Sequence, residues 1–189
     1  MVINTLYLDD GVLKSARKIY LGQAPNNISL DSFFQKPIFL LLQKKLHESR
    51  YNLKFHPYRN KYYIAKSKEI DFFIKGRYFN ELVKKILYVK KFKIEYEIRK
   101  FEPGNYTLLH DAENEKPGID FIIDFSKSSK SFGGYTVYLT EKEELLILKP
   151  SPNTISFVQR EKIVMKYTKY VTHMQKYPIV RVVGTIFKK

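Results

Sequence analysis

Residues 92–98 read Phe92-Lys93-Ile94-Glu95-Tyr96-Glu97-Ile98, and this stretch decides the fold. Apolar and charged residues alternate singly, so every second side chain lies on one face of an extended chain. A helix would need apolar positions three and four apart. Further strand-like runs follow at 106–110, 119–125, 135–139, 145–148, 155–158, 164–171 and 179–187. Turn signals separate them at Pro103-Gly104, 113–118, Gly133-Gly134 and 150–153. No helical run stands between these strands to carry a parallel crossover, so this half reads as an antiparallel sandwich or jelly-roll.

Upstream the period changes. Ile70, Phe73, Ile74, Phe79, Leu82, Val83 and Ile86 form a helical stripe, with Gly76 as an interruption between two segments. Asp31 reads as the N-cap of a helix reaching about Ser49, and Pro37 offers an alternative first turn. A hairpin is expected over 51–67 around the turn 57–60, a short helix over 12–20, and a short strand over 2–8 ended by Asp9-Asp10-Gly11. The chain is therefore α+β, with 1–67 as an N-terminal elaboration and 68–189 as the β-domain with its leading helix. With 189 residues and 44% hydrophobic content, it can bury one substantial core.

Composition narrows the chemistry. The absence of cysteine excludes disulfides, thiolate metal sites and a cysteine nucleophile. No apolar run approaches the roughly 20 residues of a membrane span, and no small-residue cleavage site follows the first apolar stretch. A cytoplasmic protein without a membrane is the expectation. The net charge is +15, and residues 1–100 hold 21 Lys or Arg against 9 Asp or Glu, a net +12. Such a field favours an anionic partner, whether RNA, DNA or an acidic protein, although biased composition would give the same balance. Lys84, Lys85, Lys90, Lys91 and Lys93 read either as an anion-binding ridge or as a solvated helix end.

No phosphate-binding glycine loop, metalloprotease helix or acyl-transfer nucleophile motif occurs. Four histidines are present, and His110 and His173 fall in separate strand regions, 63 residues apart. His110 sits beside Asp111. Two imidazoles and one carboxylate leave open positions on an iron ion, as oxygen activation requires, while isolated histidines are more often structural or surface groups.

The segment Phe101-Glu-Pro-Gly-Asn-Tyr106-Thr-Leu-Leu-His110-Asp111-Ala112 resembles the strand carrying the first metal ligands in iron- and 2-oxoglutarate-dependent oxygenases, in their prolyl-hydroxylase-like branch. Phe132-Gly133-Gly134, the Pro150, Asn153, Phe157 set and the ending Arg181-Val-Val-Gly184-Thr-Ile-Phe187 resemble later stretches of that family. The resemblance implies a double-stranded β-helix (jelly-roll) with N-terminal buttressing helices, and His110 and His173 facing one another across it. It further implies Fe(II) held by His110, His173 and a carboxylate, and 2-oxoglutarate held by Arg181 with Tyr106 as an inward neighbour; Tyr138 is a second inward tyrosine. A guanidinium fork suits a carboxylate bidentately.

One departure matters. The family places its carboxylate two residues after the first histidine, where this chain has Ala112, while Asp111 points to the other face of a regular strand. Asp111 could ligate through a bulge, Glu113 could reach in, or no protein carboxylate serves. The functional expectation is a dioxygenase hydroxylating a protein or nucleic-acid substrate, a ribosome-associated protein among them. The alternative is a catalytically degenerate module that binds RNA, DNA or an acidic protein. Halogenase chemistry and a cupin-like sandwich are weaker readings. Oligomeric state is not legible.

Overall fold

The computed structural model describes residues 3–108 and 116–189. A 3₁₀ turn, Thr5–Leu8, leads into α1 (Asp10–Leu21), β1 (Asn27–Leu30), α2 (Lys36–Glu48), the hairpin β2 (Asn52–His56) and β3 (Asn60–Ala65), then α3 (Lys68–Lys75) and α4 (Arg77–Leu87). The β-region follows as β4 (Phe92–Phe101), β5 (Tyr106–Thr107), β6 (Gly118–Asp124), β7 (Thr136–Leu139), β8 (Glu144–Leu148), β9 (Ile155–Arg160), β10 (Met165–Thr168) and β11 (Ile179–Lys188). The strands pair antiparallel in the order β1-β9-β6-β11-β4-β3-β5-β10-β7-β8, with β2 beside β3. Contacts between strands far apart in this order show that the sheet curls. Lys166 on β10 reaches Asp120 on β6, and Arg181 on β11 reaches Thr136 on β7. This is the expected α+β architecture, a curled antiparallel jelly-roll with helices before it.

Strand alternation sorts the side chains. Ile119, Phe121 and Ile123 of β6, Phe157 of β9 and Val180, Val182 and Ile186 of β11 join the core shared with Ile70, Phe73, Phe79 and Val83 of α3 and α4. Asp120, Asp124, Arg160 and Arg181 project from the opposite face of the same strands into the barrel, and all four are buried. The two apolar helices begin and end as their sequences dictate. Ser67 caps α3, its hydroxyl accepting from the Ile70 amide at 3.3 Å, with Glu69 and Asp71 in the positive first turn. Gly76 separates α3 from α4, which carries its buried stripe at Phe79, Leu82, Val83 and Ile86.

Three local expectations change. Residues 5–8 form a 3₁₀ turn rather than a strand, because the Asn4 side chain accepts from the Leu6 amide; Ile3 makes an isolated bridge to Phe34. The second helix starts at Lys36, with Pro37 in its first turn. Asp31 instead accepts from the Thr154 hydroxyl at 2.8 Å. Residues 27–30, for which the sequence reading offers no strand, pair with β9. No helix among the described residues is long and apolar enough to cross a membrane.

Candidate functional site in the barrel

Arg181 stands on the second inward position of β11 and is 1% exposed. Its Nε donates to Asp124 Oδ2 at 2.9 Å, and its Nη1 donates to the Gly134 carbonyl at 2.9 Å and to Thr136 Oγ1 at 3.2 Å. Asp124 is equally engaged. Its Oδ1 accepts from the Ser126 amide at 2.8 Å and its Oδ2 from the Ser151 amide at 3.1 Å. The free space beside Arg181 is about 10 Å³, bordered by Phe101, Thr107, Tyr138 and Thr168. That is room for about one water.

The Gly134 carbonyl reaches Arg181 because Gly133 and Gly134 adopt positive φ, 103° and 69°. A Cβ on Gly133 would stand 1.9 Å from the Tyr170 carbonyl oxygen. Thus the aromatic-Gly-Gly stretch positions one partner of the arginine.

Nearer the other end of the barrel, where β4 starts and β11 ends, lies a second charged constellation. Asp120 Oδ2 accepts from Lys166 Nζ at 2.9 Å and from Arg160 Nε at 3.2 Å, while Oδ1 accepts from Thr185 Oγ1 at 2.7 Å. Burial alone would raise the Asp120 carboxyl, but Lys166 and Arg160 outweigh it and hold the group below its ordinary range. On β4, Glu97 accepts from Lys54 at 2.6 Å, from the Tyr62 hydroxyl at 3.1 Å and from Arg99 at 2.9 Å. Burial opposes ionisation here as well, yet Arg99 and Lys54 bring Glu97 down to about 2. These residues border an open groove of about 920 Å³.

Of the residues singled out in the sequence, those described occupy separate places. Tyr106 is half-buried on β5 and stacks on Tyr170, with ring centroids 6.4 Å apart. It does not border the Arg181 space, whereas Tyr138 does. His173 lies in an exposed turn beyond the end of β10 and borders neither the Arg181 space nor the groove. His110, Asp111 and Glu113 lie outside the described residues. Among the described residues no group of three or more His, Asp or Glu is placed to hold a metal ion. Lys84 and Lys85, proposed as a basic ridge, pair with Glu81 at 2.9 Å and Asp10 at 2.6 Å.

Sequence reasoning found Arg181 but missed Asp120, Asp124, Arg160 and Lys166. A signal was present for the aspartates. They stand four apart in Gly118-Ile-Asp120-Phe-Ile-Ile-Asp124, on one face of a strand too apolar to be exposed, and a buried carboxylate requires a cation.

A family model described as "Oxoglutarate and iron-dependent oxygenase degradation C-term" matches residues 59–186. The prolyl 3-hydroxylase OGFOD1 of Mus musculus is 31% identical over 81 residues, covering 41% of this chain and 15% of that protein. The Xenopus laevis protein of the same name is 31% identical over 85 residues, covering 41% of this chain and 16% of its own length. The match thus spans a small part of these curated relatives. A Pseudomonas putida prolyl-4-hydroxylase superposes with a TM-score of 0.70 at 11% identity, over 94% of this chain and 99% of the other. A Trichoplax adhaerens prolyl hydroxylase, solved with a hypoxia inducible factor peptide fragment, gives 0.68 at 8% identity, over 97% and 92%. At these identities the two structures speak to the fold.

Proposed function

The chain belongs to the oxoglutarate and iron-dependent oxygenase degradation C-terminal family, and we propose that within it the barrel is a binding module for an anionic partner. One observation carries this reading. The arginine suited to a cosubstrate carboxylate already holds the chain's own carboxylate, Asp124, beside about 10 Å³ of free space. Small-molecule clefts usually measure about 300–1,000 Å³. The space around Arg181 therefore does not fit 2-oxoglutarate as the side chains stand, with Nε and Nη1 already engaged by Asp124, Gly134 and Thr136.

The enzymatic reading has support of a different kind, the prolyl hydroxylases among its relatives. In it, His110, Asp111 and His173 hold Fe(II), and Arg181 with Tyr106 receives 2-oxoglutarate for hydroxylation of a protein or nucleic-acid substrate. It requires the space beside Arg181 to open well beyond about 10 Å³. Anaerobic titration with Fe(II) and 2-oxoglutarate, followed by visible absorption and by thermal stability, separates the two. The binding-module reading expects no charge-transfer band and no stabilisation by 2-oxoglutarate. A saturable band lost in Arg181→Gln would overturn it.

A further inference from the structure

We infer that the groove at the open end of the barrel is a docking site for an acidic peptide segment of a partner protein. The inference rests on the reading of the domain as a binding module and adds its site and partner. Among the described residues, eight basic side chains border the groove against two exposed or half-exposed carboxylates, Glu95 and Glu97. Asp120 beneath it is already matched by Lys166 and Arg160. Glu97 is likewise neutralised by Lys54 and Arg99, and Glu95 by Lys93 at 2.6 Å. Lys116, Lys188 and Lys189 are exposed on the rim and make no direct ion pair with a carboxylate among the described residues, while Lys116 acts on Glu95 from a distance. An anion entering the groove meets these three first, at little loss of existing pairs. At about 920 Å³ the groove can take several residues of an extended chain rather than a single small acid.

The pattern fits a peptide better than a nucleic acid. Single-stranded nucleic acid is held by a run of aromatic platforms under successive bases. Tyr96 and Phe187 are the aromatic side chains among the described residues that line it, and the Tyr96 hydroxyl is bound to Asp71. A peptide can set carboxylates against Lys116, Lys188 and Lys189, and an amide or hydroxyl donor against Glu95.

The test uses a fluorescent Asp- and Glu-rich peptide, its Asn and Gln counterpart, and a single-stranded oligonucleotide, each titrated into the full chain by anisotropy. The acidic peptide should bind, its counterpart should not, and affinity should fall steeply between about 50 and 200 mM salt. Lys116→Glu/Lys188→Glu/Lys189→Glu should weaken binding about tenfold or more, while Lys84→Glu/Lys85→Glu leaves it unchanged. Three exposed side chains without a direct ion pair among the described residues can be reversed without loss of fold, which circular dichroism verifies; the Gln triple variant gives the same direction with a smaller loss. Tighter binding of the oligonucleotide than of the peptide would overturn the assignment of partner. Undiminished peptide binding by the triple variant would overturn the site and leave the binding-module reading standing. A 2-oxoglutarate-dependent absorption band would overturn that reading whatever the peptide does.

Discussion

Asp124 and Arg181 show how differently two members of one pair present themselves in a sequence. Arg181 is legible through a resemblance, as the first residue of the ending Arg181-Val-Val-Gly184-Thr-Ile-Phe187. Its partner lies 57 residues away, and nothing local connects the two. A resemblance therefore suggests an external carboxylate for a fork that the fold fills internally. Asp124→Asn should lower unfolding free energy in urea by about 3–5 kcal/mol, since it leaves Arg181 charged and buried without a counterion. A loss well under 1 kcal/mol would show that the guanidinium finds a replacement partner. Glu97 makes a prediction in pH. Its carboxyl is brought from the ordinary 4.5 to about 2 in the folded protein, so the folded state binds that proton less readily than the unfolded chain. The stabilisation is complete above about 4.5 and is lost as pH falls toward about 2. Asp120, also held below its ordinary range, adds to the same acid limb. The midpoint of urea unfolding should fall through this window, and Glu97→Gln should flatten part of the fall.

Among the elements, regular patterns were readable and short ones were not. The period-two runs from Phe92 onward and the helical stripe from Ile70 to Ile86 appear as β4 to β11 and as α3 and α4, because each buries one face against a partner whatever its topology. β1 was unreadable. Its four residues, Asn27-Ile-Ser-Leu30, become a strand through pairing with β9, about 130 residues later. The 3₁₀ turn at 5–8 was misread because Ile3 and Tyr7 are both buried, four apart, which is compatible with a strand as well as with a turn. The Gly133-Gly134 turn is legible as a turn signal, and its physical reason is steric. Gly133→Ala should destabilise by roughly 1–3 kcal/mol or more, combining the strain of a positive φ with a Cβ driven into the Tyr170 carbonyl. Gly134 also supplies the carbonyl to Arg181, so the variant should loosen that end of the barrel first. Faster hydrogen exchange of the Gly134 and Lys169 amides than of the β6 amides would verify this; uniform acceleration would refute it.

For the whole molecule, counting charge by halves located the positive field in residues 1–100, yet five of the eight basic side chains around the groove come from residues 116–189. Folding converts a count along the chain into a surface by setting Lys54 of β2 beside Glu97 of β4 and Lys166 of β10 over Asp120 of β6. The same interleaving governs the first 67 residues. β3 pairs with β4 through Tyr63, Ile64 and Ala65 and with β5 through Asn60 and Lys61, so it joins the two halves of the curled sheet. Asn153 holds both backbone groups of Phe34, at 2.8 and 3.0 Å, and ties the start of the chain to the loop before β9. Tyr20, Phe33, Phe34 and Leu46 are almost wholly buried in the core that α3 and α4 share with the sheet. At about 1.5–3 kcal/mol for each such side chain, these four alone match the roughly 5–15 kcal/mol that holds a domain folded. We therefore expect residues 68–189, expressed alone, to lack a cooperative unfolding transition and to bind a hydrophobic dye, while the full chain unfolds in one step. A sharp urea transition of the shortened chain with dispersed amide resonances would show instead that the barrel closes without β3 and that the first 67 residues are an addition to an autonomous fold.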